Sequence, residues 1–306
     1  MLNKIKKVLK NPWYLVITFA GRGWLNFLSD KMYLKLIYRA KLGKKLDLKN
    51  PKTFNEKLQW LKLYNRKPEY TKMVDKYEVK KYVADLIGEE YVIPTLGVWE
   101  KFDDIDFDSL PNQFVLKCTH DSGGLVICKD KSKLDIASAK SKIENSLKRN
   151  YYKYGREWPY KNVKPRIIAE KFMIDCSSEN GELKDYKFYC FNGTPKFMYM
   201  SRDISKDTTT DFFDMDYNRL DMRMRDPNSK VPPPKPQCFE RMIELSKVLS
   251  KGIPHLRVDF YYATGQIYIG ELTFFHCGGF VPIKPNEWND LIGGWIELPP
   301  KNVIEH

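Results

Sequence analysis

An α+β fold with mainly antiparallel strands follows from three features of this sequence. Apolar residues recur at helical spacing in separate runs, with Phe54, Leu58, Leu61 and Tyr64 as one example. Between these runs lie β-rich segments joined in pairs by short Gly-containing turns such as Asn192-Gly193, and such turns connect antiparallel neighbours. Neither G-x-x-x-x-G-K-[ST] nor a helix-opening G-x-G-x-x-G occurs, so a Walker loop is absent and a Rossmann dinucleotide site is unsupported. The 306 residues are 42% hydrophobic and 14% aromatic, enough for a packed core and against global disorder. No internal repeat is present.

In chain order, residues 1–50 come first as a basic helical segment. They hold twelve Lys and Arg against Asp30 and Asp47, which accounts for +10 of the net +13. Leu2, Ile5, Val8 and Leu9 mark an apolar helix face, and Lys4, Lys6, Lys7 and Lys10 a basic one. Pro12 ends the turn before Trp13-Tyr14, residue types suited to a membrane interface. The apolar run to Ala20 is too short to span a bilayer, and Gly21-Arg22-Gly23-Trp24 fits a cleavage site poorly. The expectation is a cytoplasmic protein held peripherally on the anionic inner face of the plasma membrane rather than on nucleic acid. The alternative is a basic segment packed on the protein's own body.

A helical region follows over 51–112. Thr53 is an N-cap with Glu56 three residues on, and a second helix is expected from about Met73 to Ile87, stopping at Gly88. An extended stretch leads towards Trp99. Gln113–Cys118 is a buried-strand pattern, and Leu125–Cys128 is its return strand. A helix is expected across about 136–151, and strands at Arg166–Met173, Leu183–Phe191 and Pro195–Met200. Residues 203–236 read as irregular, closed by Pro232-Pro233-Pro234 and Pro236, and Phe239–Ser250 as a helix. Six cysteines without a C-x-x-C pair or zinc-spaced His read as reduced, mostly buried thiols.

The richest chemistry lies near the C-terminus. Period-2 alternation puts Arg257 and Asp259 on one face of a strand, and Glu271 and Thr273 on one face of the next. A three-residue loop, Thr264-Gly265-Gln266, pairs Asp259 with Glu271 and Arg257 with Thr273. A two-residue loop sets Asp259 opposite Gly270 instead. Facing carboxylates with little to neutralise them repel unless a hard cation lies between them, and an adjacent guanidinium forks phosphate oxygens. The functional reading is a Mg²⁺–nucleotide site; the bland one is a solvated hairpin. Upstream, Lys117 ends a strand before Ser122-Gly123-Gly124, whose glycines let backbone N–H groups approach phosphate. A ligand-free hairpin tip is the plain alternative there.

The order of these pieces carries more than any one of them. Asp75-Lys76, Lys117 before its Gly loop, Glu170–Met173, Asp185 with Lys187, Arg257-x-Asp259 and Glu271-x-Thr273 form a series that resembles the ATP-grasp superfamily. T-F-N-E-K-L-Q-W-L at 53–61, F-V-L-K-C-T-H-D-S-G-G at 114–124, D-Y-K-F-Y-C-F-N-G at 185–193 and R-V-D-F-Y at 257–261 are similar to its TupA-like branch. That branch is associated with surface-polysaccharide and teichuronopeptide biosynthesis and is often labelled glycosyltransferase. The resemblance implies an ATP-grasp fold, two α+β subdomains clasping ATP, at 113–169 and 170–306. It implies that Lys76 and Lys117 contact ATP phosphates under a flap of Ser122, Gly123 and Gly124. Glu170, Lys171, Phe172 and Met173 become the adenine hinge, and Asp185, beside Lys187, the ribose-binding acid. Asp259, Glu271 and Thr273 become Mg²⁺ ligands, with Thr273 where many members place Asn. Arg257 and Lys117 then stabilise the transferring phosphoryl group. His120, Arg202, His276, Gly278 and Gly279 are the substrate contacts. The region before Lys117 departs from the usual Rossmann-like opening domain.

The function expected is an ATP-dependent carboxylate–amine ligase of bacterial capsular polysaccharide synthesis. It would join an amine or amino acid to a uronic acid carboxyl of a polysaccharide or lipid-linked glycan through an acyl phosphate. The alternative is a metal-dependent glycosyltransferase using Asp214-Met-Asp216, a D-x-D. A sugar or polyol kinase and a non-catalytic scaffold are further readings.

Overall fold

The computed structural model describes residues 12–174, 183–204 and 207–301, the side chains at 202–207 excepted. The predicted amphipathic face at Leu2–Leu9 and Cys176 lie outside the described residues. The chain opens with helices α1 (Trp13–Gly21), α2 (Asp30–Leu42), α3 (Phe54–Tyr64), α4 (Pro68–Val74) and α5 (Glu78–Ile87). Strands β1 (Thr95–Trp99), β2 (Phe114–Cys118) and β3 (Leu125–Cys128) follow, then helices α6 (Ile136–Leu147) and α7 (Tyr152–Gly155) and strand β4 (Ile167–Lys171). The C-terminal part carries β5 (Lys184–Phe191), β6 (Thr194–Ile204), β7 (Asp207–Asp214), β8 (Arg219–Leu220), α8 (Phe239–Leu249), β9 (His255–Ala263), β10 (Gln266–Thr273) and α9 (Glu287–Trp295).

The strands make two sheets, one of order β1-β4-β2-β3 and one of order β10-β9-β5-β6-β7-β8. Every pairing between these strands is antiparallel, including those between strands distant in the chain such as β1–β4 and β5–β9. The small sheet has its own core, where Phe114, Leu116 and Cys118 meet Ala139 and Ile143 of α6. In the large sheet the even-numbered residues of β5 and β9 face α8, with Phe188 against Phe239 and Phe260. Each fully buried Phe of this kind contributes about 2 kcal/mol by burial. The odd-numbered residues face the other way. At one end they are covered by Phe54 of α3, which packs on Tyr189 and Phe191, and by Trp295. Further along the same face lie the charged residues of the site.

Several local expectations change. The helix expected over 73–87 is two helices, because Asp75 turns its carboxylate back to the N–H groups of Tyr77 and Glu78 and starts α5 afresh. Residues 203–236 are not irregular throughout, since they complete β6 and contain β7 and β8. The extended stretch expected towards Trp99 is β1, an edge strand of the small sheet. The Thr53–Glu56 capping box is present with both of its bonds. In the basic N-terminal segment, Tyr33, Leu34, Ile37 and Tyr38 of α2 are buried in the main core, so this helix packs on the body. Among the described residues no helix is long and apolar enough to cross a membrane.

Candidate active site

The β9–β10 hairpin reaches the expected pairing by an unexpected route. Its turn has two residues, Thr264-Gly265, with φ of 50° and 82°, and Gln266 pairs Ala263. This corrects the three-residue loop. The register then slips at Gly270, a β-bulge between Ile269 and Glu271, so that Glu271 faces Asp259 and Thr273 faces Arg257. A Cβ on Gly270 would lie 2.8 Å from the Tyr261 ring, which is why the bulge needs glycine.

Asp259 and Glu271 do converge, but they are not short of positive charge. Arg257 sits between them, its Nε donating to Asp259 Oδ1 at 2.6 Å, its Nη2 to Asp259 Oδ2 at 2.6 Å and to Glu271 Oε1 at 2.7 Å. The expectation of an unneutralised carboxylate pair is therefore corrected. The free Nη1 of Arg257 donates to His276 Nδ1 at 2.8 Å. That bond needs a ring lone pair, and burial beside the guanidinium pushes His276 well below the usual imidazole range. Burial raises Asp259, which Arg257 and Lys187 oppose; with N–H groups on both its oxygens the carboxylate is the form this geometry holds. Thr273 donates to Glu271 Oε1 at 2.7 Å.

Across from this cluster, the small sheet presents a second one. Glu170 is buried, with Lys117 Nζ at 2.6 Å from Oε2 and Lys80 Nζ at 2.6 Å from Oε1. Lys117 and Glu170 share a face of the sheet because Val115, two residues before Lys117, pairs Glu170. Burial alone would raise Glu170, but the two ammoniums hold it below the usual carboxylate range. Lys80 was not foreseen. It lies one helical turn after Lys76, a spacing that places both on one side of α5 and its lead-in. Lys76 Nζ donates to the carbonyl of Asp121 in the Gly loop and stands within electrostatic reach of Glu271. A narrow cleft is lined by Lys76, Val79, Lys80, Lys117 and Glu170 and by Ile269 and Gly270, the residues that lead into Glu271. A wider groove on the opposite face of the large sheet, beside Tyr186, Pro233 and Tyr262, holds none of the predicted site residues.

In the Gly loop, Ser122 and Gly123 form an exposed tip. Gly124 is buried, and a Cβ there would meet Cys118 Sγ at 2.5 Å and Ser146 Oγ at 2.6 Å, so packing requires this glycine. His120, expected to touch substrate, is instead buried with Nε2 on the carbonyls of Ser146 and Arg149 at 3.2 and 3.1 Å. It fastens the loop to the end of α6.

The His276–Gly279 loop also has an unforeseen support. Cys277, Gly278 and Gly279 all have positive φ, a conformation held from below by α3. Asn55 Nδ2 donates to Gly279 O at 2.9 Å, and Gln59 Nε2 to Gly278 O and Gly279 O at 3.1 and 3.0 Å. The fully buried Lys62 Nζ donates to Gly278 O, Gly155 O and Gln59 Oε1 at 2.7, 2.8 and 3.1 Å and lies over the Phe280 ring. Burial pushes Lys62 down to about 7, yet three oxygen acceptors leave no place for an amine lone pair, so the ammonium is the form held. The T-F-N-E-K-L-Q-W-L motif thus builds a staple for this loop. Polar residues at 55, 59 and 62 on one helix face were the available signal.

The remaining predicted residues divide. Asp185 contacts Lys187, which lies 3.9 Å from Asp259. Lys171 ends β4, its N–H donating to Pro94 O, and the half-buried Phe172 and Met173 follow it. Arg202 pairs Thr209 on β6–β7, and its side chain lies outside the described residues. The first carboxylate of Asp214-Met-Asp216 is used in its own turn, accepting from the N–H groups of Asp216 and Asn218 and from the Asn218 side chain. The described cysteines are free, and Cys277 among them is exposed.

Among the described residues no group of three or more His, Cys, Asp or Glu converges as a ready-made metal cage. Two facing carboxylates and a hydroxyl still fit Mg²⁺. Magnesium takes hard oxygen ligands and is commonly bound by one or two carboxylates plus substrate phosphates. The Glu271 side chain is 40% exposed, so part of it is available.

A family model described as TupA-like ATPgrasp matches residues 56–297. No curated protein matches. Among solved structures, D-alanine–D-alanine ligase from Bacillus anthracis, complexed with ATP, aligns at 18% identity and a TM-score of 0.41, over 66% of this chain and 55% of that one. The Helicobacter pylori ligase of the same name gives 15% and 0.40, over 72% and 61%. The ATP-grasp ligase PsnB with its minimal precursor gives 9% and 0.37, over 68% and 54%. The chain therefore spans little more than half the length of these ligases.

Proposed function

Because the chain belongs to the TupA-like ATP-grasp family, we propose that it is an ATP-dependent ligase joining a carboxyl group to an amine. The acyl donor would be a uronic acid of a bacterial surface polysaccharide, activated as an acyl phosphate. The observation that supports this most is the pair of opposed ion clusters. Lys80 and Lys117 outnumber Glu170 on one wall, and Asp185, Asp259 and Glu271 outnumber Arg257 and Lys187 on the other. A polyphosphate suits the first wall and a divalent cation the second.

In this reading Lys76, Lys80 and Lys117 neutralise phosphate oxygens, and the exposed Ser122-Gly123 tip closes over them. Asp259, Glu271 and Thr273 hold Mg²⁺, which when bound neutralises charge on the phosphoryl group. Arg257, fixed by Asp259 and His276, orients the oxygens at the reacting centre. The Lys62 staple keeps the Gly278–Gly279 backbone beside it. Positioning and charge neutralisation carry the rate, with no protein nucleophile. The glycosyltransferase reading loses its motif, since Asp214 is engaged in a turn.

Membrane association belongs to the same proposal. Trp24, Phe27 and Met32 are 57%, 81% and 58% exposed beside Arg22, Lys31 and Lys35, a combination suited to the anionic inner face of the plasma membrane. Replacing Trp24 and Phe27 with Ser should lower co-flotation with phosphatidylglycerol vesicles and leave the melting temperature unchanged. The ligase is tested by ADP release: turnover should require a uronic acid and an amine together. Release with a sugar alone would identify a kinase instead.

A further inference from the structure

The proline-rich segment that closes residues 203–236 takes no part in the cleft, yet the fold holds it firmly. Tyr217, in the turn between β7 and β8, has a φ of 65°, a conformation that costs a residue with a side chain. The Asp214 carboxylate fixes that turn through the Asn218 N–H, and the Asp214 carbonyl accepts the Tyr217 N–H at 3.2 Å. So placed, the Tyr217 ring stacks on Phe213 at 4.2 Å. Its hydroxyl proton is shared by the carbonyls of Pro234 and Pro233, at 2.8 and 3.2 Å. Proline has a fixed φ and no N–H, so the segment is a stiff wall rather than a strand partner. Lys235 continues it, its ammonium paired with Glu240 and 5.0 Å from the Phe239 ring.

This wall borders the groove on the face of the large sheet turned away from the cleft. The groove holds about 420 Å³, within the range of small-ligand sites. Strand register builds its floor. Lys184 pairs Tyr262 and Tyr186 pairs Met200, so one face presents an ammonium, two phenol rings and a thioether side by side. Tyr186 and Met200 are buried, and Tyr262 is half-buried. The exposed Ser201 and Gln237 add a hydroxyl and an amide at the rim. The twelve lining residues include two lysines and no carboxylate, so the groove favours an anion. Lys235 is already paired, but Lys184 is exposed and among the described residues has no ion pair. An aromatic floor, polar groups at the edge and one uncommitted cation suit a pyranose that carries a carboxylate. The C–H face of such a ring lies on tyrosine, its hydroxyls meet the rim, and its carboxylate meets Lys184. An acyl chain would leave the ammonium and the rim without partners.

We propose that this groove is a second glycan site, which holds one acidic sugar unit of a polymer while another unit occupies the cleft. Tyr262 takes the ring face and Lys184 the carboxylate. The inference rests on the uronic-acid reading and adds a subsite to it. The Thr264-Gly265 turn lines the groove, and the same β9–β10 hairpin carries Asp259 and Glu271 on its other face. Since β10 is an edge strand, a glycan has one sheet edge to round between the two sites. A chain held in the groove is thus presented to the cleft at raised effective concentration. No bond forms or breaks in the groove. Its occupation changes the apparent affinity for a polymer and leaves the chemical step alone.

The test uses the full chain, with tetragalacturonate and neutral maltotetraose as binding probes. Methyl glucuronoside with Mg-ATP and methylamine serves as the monomeric substrate mixture. Calorimetry should show the native chain binding tetragalacturonate and not maltotetraose. Lys184→Ala and Tyr262→Ala should each weaken tetragalacturonate binding about tenfold, and Lys184→Glu should weaken it further. The Lys184 variants should keep the native melting temperature, because that side chain is exposed. All three variants should leave ADP release with the monomer unchanged. Unaltered affinity in the Lys184 variants, equal binding of both tetrasaccharides, or no binding by the native chain would each overturn the assignment. Loss of vesicle co-flotation in Lys184→Glu would give the groove to the membrane and overturn it as well. Absence of ADP release from the native chain with methyl glucuronoside would count against the ligase reading alone, and tetragalacturonate binding would still decide the groove.

Discussion

The two walls of the cleft use the same residue chemistry in opposite proportion. On the small sheet one carboxylate, Glu170, holds two ammoniums at 2.6 Å each. On the large sheet one guanidinium, Arg257, holds two carboxylates at 2.6 and 2.7 Å. Each cluster is neutral enough to be buried, and each keeps one unit of charge in excess, positive on one wall and negative on the other. The difference shows how a fold presents opposite charges a short distance apart without collapsing them into a salt bridge. Each excess is tied to a counter-charge on its own wall, so the cleft stays available to a ligand that carries both signs.

Removing the negative excess should have the largest effect. The Asp259→Asn/Glu271→Gln double variant should lose on the order of 10³-fold or more in ADP release. Retained turnover would break the comparison, because the negative wall would then have no part in catalysis. Glu271→Gln alone is the cleaner probe for stability. Its side chain is 40% exposed and Arg257 keeps the two-pronged bond to Asp259, so the fold should lose little.

The positive wall should respond in the other currency. Glu170→Gln leaves two ammoniums, Lys80 and Lys117, beside each other without their carboxylate. Stability to urea should fall by about 3–5 kcal/mol, well beyond the Glu271→Gln loss. The sign with pH follows from the lowered Glu170 carboxyl. Its contribution is full above the usual carboxylate range and is lost as pH falls through its lower folded value. Acid titration of unfolding should therefore show a steep limb in the native chain that is shallower in Glu170→Gln. Equal slopes would mean that the triad adds nothing to stability.

Legibility in the sequence followed the range of the contacts. The alternation of Arg257-x-Asp259 and Glu271-x-Thr273 is local, and so is the Thr53–Glu56 cap; both are visible in a few residues. The family resemblance rests on short motifs of the same kind, and the family match spans residues 56–297. What stayed hidden depends on partners far along the chain. Lys62 looks like a surface lysine until Gly155 and Gly278, 93 and 216 residues away, bring their carbonyls to it. His120 lies inside a motif and suggests ligand contact, yet it is consumed by the carbonyls of Ser146 and Arg149. Lys80 belongs to no motif, and only its spacing of one helical turn from Lys76 marks it.

The hairpin offers the smallest and most instructive prediction, because two local features there compensate. The two-residue turn alone would put Asp259 opposite Gly270, and the bulge at Gly270 restores the opposition of Asp259 and Glu271. Turn and bulge should therefore separate under mutation. At Gly265, with φ of 82° and open space where a Cβ would go, alanine adds backbone strain of roughly 1 kcal/mol. It should lower the melting temperature slightly and leave ADP release unaltered. At Gly270 the added Cβ would stand 2.8 Å from the Tyr261 ring, so strand or ring must shift within one residue of Glu271. Displacing a charge by a fraction of an ångström should cost about tenfold in turnover. Gly270→Ala should thus reduce turnover out of proportion to its stability loss, while Gly265→Ala should do the reverse. If both variants lose activity in step with stability, the bulge merely holds the hairpin together. The negative wall would then owe its geometry to Arg257 alone, as the positive wall owes its own to Glu170.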